Sequence, residues 1–457
     1  MRDDKTFVSP LTADQALETV ETALRSCPAD AVEVTLLGRT AEYTRFAGDR
    51  IHQPQDITEL TVSIKAVVDG HAARAATSSL ARIGETAVLA AGLAAQRAKA
   101  ASGAGHTLLA RPEDVPDLPL WHEDTAAFDA PSRVELAGRA MRAAGSAGGR
   151  STGMFGRAVT QIAVGNSAGV RQHALATEAS GALTVTVGDG TAHWIDLHRS
   201  SDALATGANI DSAVQRAVAG RGRVPMPDGE FTVVLGPEAA GELVGFLGDF
   251  GFTGSLAAAG VGVCAREPGA RRASELVTVA DDARADVGLP MPFDFEGTVK
   301  QVVPLLTRGV VGSPVTDLAT ASALGRPSTG HAHIAREEVP APVPANVVMR
   351  PGDRTEAELV AGVERGIYVE RFWYTRLVDR SASTITGVSR DACFLIEDGR
   401  LTRPVDTGRF TQSVLGFLET VDGVADTVRS QPVMNVWNGC VSAPAIRGHG
   451  FRFGNRP

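Results

Sequence analysis

A chain of 457 residues, with 44% hydrophobic and 21% charged side chains, exceeds what one ordinary core organises, so two globular domains are expected and disorder is argued against. The formal charge of −9 gives no electrostatic reason to bind nucleic acid or an anionic membrane surface. Cys27, Cys264, Cys393 and Cys440 stand far apart with no C-x-x-C pair, the pattern of neither a zinc knuckle nor a disulfide framework.

The polar opening "MRDDKTFVSPLTADQ" has no apolar core of a secretory signal, and the longest apolar stretches are broken by charge, so a cytoplasmic protein without a membrane span is expected. Residues 12–27 have helical spacing, with Thr12 and Gln15 placed as a capping box. Two β-rich runs follow, over 31–53 and 59–79, and Asp69-Gly70 inside the second signals a hairpin. An Ala-rich helix over 81–99, a Pro/Asp-rich connector over 111–121 and a helix over 132–147 lead into further β-rich sequence over 157–197. Turns fall there at 166–169 and 188–190, and a helix over 211–219 closes this half.

"RGRVPMPDGE" (221–230) reads as a linker, dividing the chain into an N-terminal domain, 1–222, and a C-terminal domain, 228–457. The second opens with "VVLGPEAAGELVGFLGDF" (233–250), a strand running into a helix. It continues with short β runs, Pro/Gly turns and a helix over 355–365. Strands and helices do not alternate as in a doubly wound sheet. The fold class is therefore α+β: an N-terminal α/β domain with a curved, antiparallel-rich sheet, and a mostly β C-terminal domain.

Candidate chemistry is sparse. Pro237 and Glu238 suit the first turn of a helix on structural grounds alone, because proline fits the first helical position and an acid complements the dipole. In "TGHAHIAREEV", His331 and His333 share a face if extended and stand near Glu337 and Glu338, a conceivable metal pair. Gly330 and the Pro-rich surroundings favour a loop in which the histidines are packed or solvated. His193 and His198 fall on opposite faces of a strand and are weaker candidates. "ERFWYTRLVD" (370–379) concentrates Phe372, Trp373 and Tyr374, either as a groove wall or subunit contact or as an ordinary core strand. Neither a G-x-S-x-G elbow nor a P-loop occurs.

"TRFAGDRIHQ" (44–53) resembles a stretch of the TldD/PmbA family. The similarity resumes at "PFDFEGTVKQVVPLLTRGVV", "STGHA" (328–332), "MRPGDRTEAELVAGVERGIYVERFWYTRLVD", "TITGVSRDACFLIEDGRLTRPV" and "APAIRGHGFRF", in order along nearly the whole chain. The resemblance implies an α/β N-terminal domain and a mostly β C-terminal one. It also implies two kinds of member. TldD-type chains are zinc peptidases with two histidines and a glutamate on one helix and a cysteine near the C-terminus. PmbA-type chains, also called TldE, lack the histidines and pair with a TldD-type chain to degrade unfolded or modified peptides, some in natural-product biosynthesis.

Carried over residue by residue, the first histidine falls on Pro237, the glutamate on Glu238, the second histidine on Glu242 and the cysteine on Cys440. Proline has no donor atom, and catalytic zinc normally takes three protein ligands in fixed geometry. The chain therefore reads as PmbA-type, with a degenerate helix over 237–248. No metal is expected here; zinc is expected in a TldD-type partner, and a peptide substrate would add in extended form to a sheet edge. Glu238, Glu242, Cys440 and His331 stay as candidate catalytic residues, and Thr329, Gly330, His331, Phe372, Trp373 and Tyr374 as candidate groove residues. The alternatives are a hydrolase with a rearranged site and a peptide-binding scaffold.

Overall fold

The computed structural model describes residues 10–103, 105–333, 341–432 and 439–454. Helix α1 (Ala13–Ser26) begins where the capping box predicts. Thr12 Oγ1 accepts from the Gln15 amide at 3.2 Å, and Gln15 Oε1 accepts from the Thr12 amide at 2.9 Å, so two otherwise orphaned donors are satisfied reciprocally. Strands β1 (Ala31–Gly48), β2 (Arg50–Val68) and β3 (His71–Thr77) follow as a meander. The β2–β3 turn has φ of 50° at Asp69 and 73° at Gly70, the paired left-handed conformation that matches strand twist in a two-residue hairpin.

Helices α2 (Ile83–Ala100), α3 (Glu123–Ala127) and α4 (Ala130–Ser146) separate these strands from β4 (Arg150–Asn166), β5 (Arg171–Val187) and β6 (Gly190–His198). Helix α5 (Thr206–Ala219) ends this half. The sheet order is β3-β2-β1-β4-β5-β6, every pair antiparallel. One face is covered by the Ala-rich helices. Ala87, Ala90 and Ala94 of α2 pack with Val34, Leu36 and Ile64, while Ala137, Ala140 and Ala213 of α4 and α5 pack with Phe155, Leu183 and Trp194. Small side chains let helix backbones approach the sheet, so a core poor in aromatics still closes.

Strand β7 (Gly229–Leu235) passes directly into α6 (Pro237–Gly251). It lies in the second, mixed sheet between the antiparallel strand Cys440–Phe453 and the parallel strand Arg365–Val369. A cluster of Phe372, Phe410, Phe417 and Phe453 surrounds Phe451, with ring centroids 5.1–5.6 Å from it. Val234, Tyr368 and Phe394 of this half share one apolar cluster with Phe155 and Trp194 of the other, which locks the two sheets together. The class is α+β, with a strand-rich second half.

Two helix extents differ from the sequence reading. The helix expected over 355–365 stops at Ala361, with Gly362 as its cap, and the strand Arg365–Val369 beside β7 begins at the last expected helical residue. Helix α5 starts five residues before the expected position, its Ile210 extending the apolar stripe of Ala213 and Ala217.

Phe451 has no exposed surface. Phe451→Ala is expected to cost about 3–5 kcal/mol through lost burial and the cavity left behind. The urea-denaturation midpoint measures this, and a loss under about 1 kcal/mol would contradict the packing described.

Candidate functional site

The site is built where β7 turns into α6. Gly236 is extended (φ −60°, ψ 166°), and a Cβ there would stand 3.0 Å from Tyr368 Oη and 3.2 Å from the Glu370 carbonyl oxygen, a tight fit that favours glycine. Pro237 occupies the first helical position, where its missing N–H costs nothing. Glu238 follows, 4% exposed, with both oxygens engaged. Oε2 lies 2.7 Å from His193 Nδ1, Oε1 accepts from the Ile195 amide at 3.1 Å, and Arg429 Nη1 stands 3.8 Å from Oε1. Burial pushes this carboxyl up, but His193 and Arg429 outweigh it and hold the group below its ordinary range.

His193 also ties β6 to the second half through its backbone. Its amide donates to Glu370 Oε2 at 2.8 Å and its carbonyl accepts from Arg216 Nη2 at 3.1 Å. Arg216 Nε stands 2.7 Å from Glu370 Oε1. The resulting chain, Arg216–Glu370–His193–Glu238–Arg429, pairs each buried carboxylate with a cation or hydrogen-bond donors, as burial requires.

One turn along α6, half-buried Glu242 faces a cleft of about 530 Å³, and burial pushes its carboxyl up. His193, Glu238, Arg371, Trp373 and Gln431 complete much of the wall. Arg371 and its cross-strand partner Arg390 both lie over Trp373, at 5.1 and 4.8 Å from its ring, and Arg371 Nε donates to Asp391 Oδ2 at 2.5 Å. Tyr374 is 69% exposed and left-handed (φ 55°), whereas Phe372 is buried with Phe410 at 4.4 Å. The aromatic run is thus both things at once: Phe372 packs in the core and, with Trp373 and Tyr374, also contributes to the cleft wall.

A neighbouring cavity of about 960 Å³ lies between the uncovered face of the first sheet and the second half, with Ala182, Ile195 and Pro432 bordering both spaces. His331 and His333 line it. His331 is buried, its Nε2 3.0 Å from Asp281 Oδ1 and its Nδ1 2.9 Å from the Thr329 carbonyl oxygen. Burial and Lys300 push His333 down to about 4. Thr329 and Gly330 line neither space. The Thr329 hydroxyl accepts from the Thr316 amide at 2.7 Å, and Gly330 (φ 71°) sits where a Cβ would meet the Val299 carbonyl oxygen at 2.6 Å. Cys440 lines neither as well. It is fully buried 3.9 Å from Ser442 Oγ, and burial pushes its thiol up to about 12, the condition of an inert thiol. Glu337 and Glu338 lie outside the described residues.

The residues brought together are therefore Glu238, Glu242, Trp373 and Tyr374, without Cys440 or His331 beside them. This set does not fit zinc. Pro237 offers no lone pair, and both oxygens of Glu238 are spoken for. Among the described residues no group of three or more His, Cys, Asp or Glu is arranged to hold a metal ion. Sequence reading gave no weight to Glu370, Arg216 and Arg429, and little to His193. Glu238 is 45 residues from His193 and Glu370 is 177, distances no local motif spans.

Fold and site together define an α+β protein built around the β7–α6 turn. Residues 228–455 match the model of the PmbA/TldA metallopeptidase C-terminal domain, and the chain belongs to the TldD/PmbA family. TldE from Thermococcus kodakarensis superposes with a TM-score of 0.86 at 18% identity, over 97% of this chain and 100% of that one, which shows a common fold. A metalloprotease of Methanothermobacter thermautotrophicus is 28% identical over 210 residues, 45% of each chain. A metalloprotease TldD homolog of Haemophilus influenzae is 27% identical over 230 residues, 47% of this chain and 44% of that one. Each of these two sequence matches spans less than half of the relative.

Because Glu238 is held below its ordinary value of 4.5 in the folded chain, its stabilising contribution is full above that value and is lost as pH falls through the lower folded one. His193→Ala is expected to cost about 1–3 kcal/mol at neutral pH by stripping a buried acceptor of its donor. It should also flatten the acid limb of stability against pH. Urea midpoints from neutral to acid pH measure both, and an acid limb unchanged in the variant would contradict the pairing.

Proposed function

We propose that this chain is the PmbA/TldE-type, non-zinc-binding subunit of a two-component peptidase that acts on unfolded or modified peptides, including those of natural-product pathways. The observation that carries the reading is the β7–α6 turn. The first ligand position is a pyrrolidine ring, and the carboxylate that follows is locked between His193, Ile195 and Arg429 instead of facing an open coordination sphere. Hydrolysis is assigned to a TldD-type partner carrying the zinc, and the pair to the cytoplasm. No helix among the described residues is long and apolar enough to cross a membrane.

The role of this chain in the pair is to hold substrate. The strand Arg371–Asp379 pairs only with Thr384–Arg390 among the described strands, which leaves its other edge for an added strand, and residues 371–376 of it line the cleft. Backbone pairing at such an edge accepts many sequences, which suits a peptidase of broad substrate range. Arg371 and Arg376 beside Trp373 and Tyr374 supply cationic and aromatic contact.

Purified alone, the chain is expected to hold substoichiometric zinc by metal analysis and to leave unstructured peptides intact. Mixed with a TldD-type chain, it is expected to form a complex whose cleavage of those peptides a chelator stops. Stoichiometric zinc and chelator-sensitive cleavage by this chain alone would overturn the reading. Peptide affinity without hydrolysis in any mixture would favour a binding scaffold, and loss of turnover in a Glu238→Gln complex that still assembles would favour a rearranged hydrolase.

A further inference from the structure

The larger cavity has its own chemistry, separate from the cleft at α6. Its volume of about 960 Å³ stands at the upper end of small-molecule sites, and Leu37, Ile162, Met291 and Phe293 give it an apolar body. Charged groups interrupt that lining, and most are already committed. Arg39 grips Glu178 through two contacts of 3.0 Å, and His331 lies on Asp281.

Two cations make no hydrogen bond to a carboxylate among the described residues. Lys300 is 4% exposed, and its ammonium has neither a hydrogen bond nor an ion pair among the described residues. Arg199 is 5% exposed. Its Nη atoms donate to the carbonyls of Thr177 and Pro290, each at 2.9 Å, while its Nε, without an acceptor, is shut off from the cavity and the charge is balanced through space by Glu178.

The acids around Lys300, Asp281 and Asp294, act on it through space but make no hydrogen bond to it. Asp281 accepts from the Asn346 amide at 3.1 Å besides facing His331, and Asp294 accepts from the amides of Ala332, Thr298 and Glu296 at 2.8–3.0 Å. Burial also pushes Asp294 up to about 7, which weakens it as a counter-charge. A buried ammonium with three donors and no acceptor is costly unless something fills the place of the acceptor.

We propose that this cavity binds a carboxylate joined to an apolar body, with the carboxylate at Lys300 and the apolar body against Ile162, Met291 and Phe293. Such chemistry comes from a medium-chain free acid or from the C-terminal end of an apolar peptide. The assignment is independent of the subunit reading, whose tests are zinc content and assembly.

Calorimetric titration of the full chain with octanoate, octylamine, acetyl-trileucine with a free carboxylate, and the same peptide as its amide tests the site. At least one of the two carboxylates is expected to saturate, with octylamine and the amide failing to do so. Tighter binding of octanoate identifies a free acid as the source, and tighter binding of the peptide acid identifies a chain terminus. Lys300→Met is expected to weaken the carboxylate by about tenfold or more. Leu37→Trp, which fills the cavity and leaves Lys300 in place, is expected to do the same, and it decides the matter should the lysine variant not fold. Absence of saturation by both carboxylates, equal binding of the amide or octylamine, or wild-type affinity in a folded variant would overturn the proposal.

Discussion

The 2.7 Å contact between His193 and Glu238 is the constraint on which the rest of this architecture rests. It joins the last strand of the first sheet to the first turn of the helix that follows the linker, so the two halves meet at one buried carboxylate. Removing water from that carboxylate is costly, and the cost is offset only if donors reach it from more than one direction. They do: an imidazole and the Ile195 amide come from β6, and Arg429 comes from the second sheet. Glu370 repeats the device one step away, receiving the His193 amide from one half, the Ala392 amide from the other, and Arg216 from α5. Charge placement, more than apolar area alone, sets how the halves are registered.

Local chemistry in the sequence carried much of the fold. Thr12 with Gln15 and Asp69 with Gly70 act within a few residues of themselves, so the capping box and the hairpin are legible without knowledge of the rest. The helix over 355–365 is harder, because the strand Arg365–Val369 that follows it pairs with β7, more than a hundred positions away, and nothing local marks where the helix must end. The site is harder still. Glu238 reads as an ordinary first-turn acid, and His193 as one histidine of a strand. What makes them a pair is the packing of β6 against α6, which no spacing encodes. The aromatic run shows the same limit: periodicity places Phe372 opposite Trp373, but only the tertiary structure says which side is core.

Pro237 deserves to be weighed as a structural choice and a chemical one together. At the first helical position it pre-sets the backbone for α6 directly after Gly236, with no loop between strand and helix. A histidine there would present an imidazole to the region of the cleft; the ring presents nothing to coordinate. Once the donor is gone, Glu238 gains by turning toward β6, and the helix becomes a part of the interface between halves. Glu242, whose carboxyl burial pushes up, is left facing the cleft beside Arg371 and Trp373. On the subunit reading proposed above, an acid whose carboxyl burial pushes up, set among arginines and aromatics, offers hydrogen-bonding surface to a peptide backbone.

The same logic separates the two cavities. In the cleft, the fully buried carboxylate is satisfied, and the exposed strand edge and Tyr374 remain for a ligand. In the larger cavity the imbalance lies inside, since Arg39, Glu178, Asp281 and His331 close on one another while Lys300 does not. A protein interior pairs its buried charges unless something else completes them. Ala182, Ile195 and Pro432 border both spaces, so whatever enters the larger one bears on the backbone that also positions His193 through β6. The two spaces therefore share a wall at β6, the strand that also carries His193.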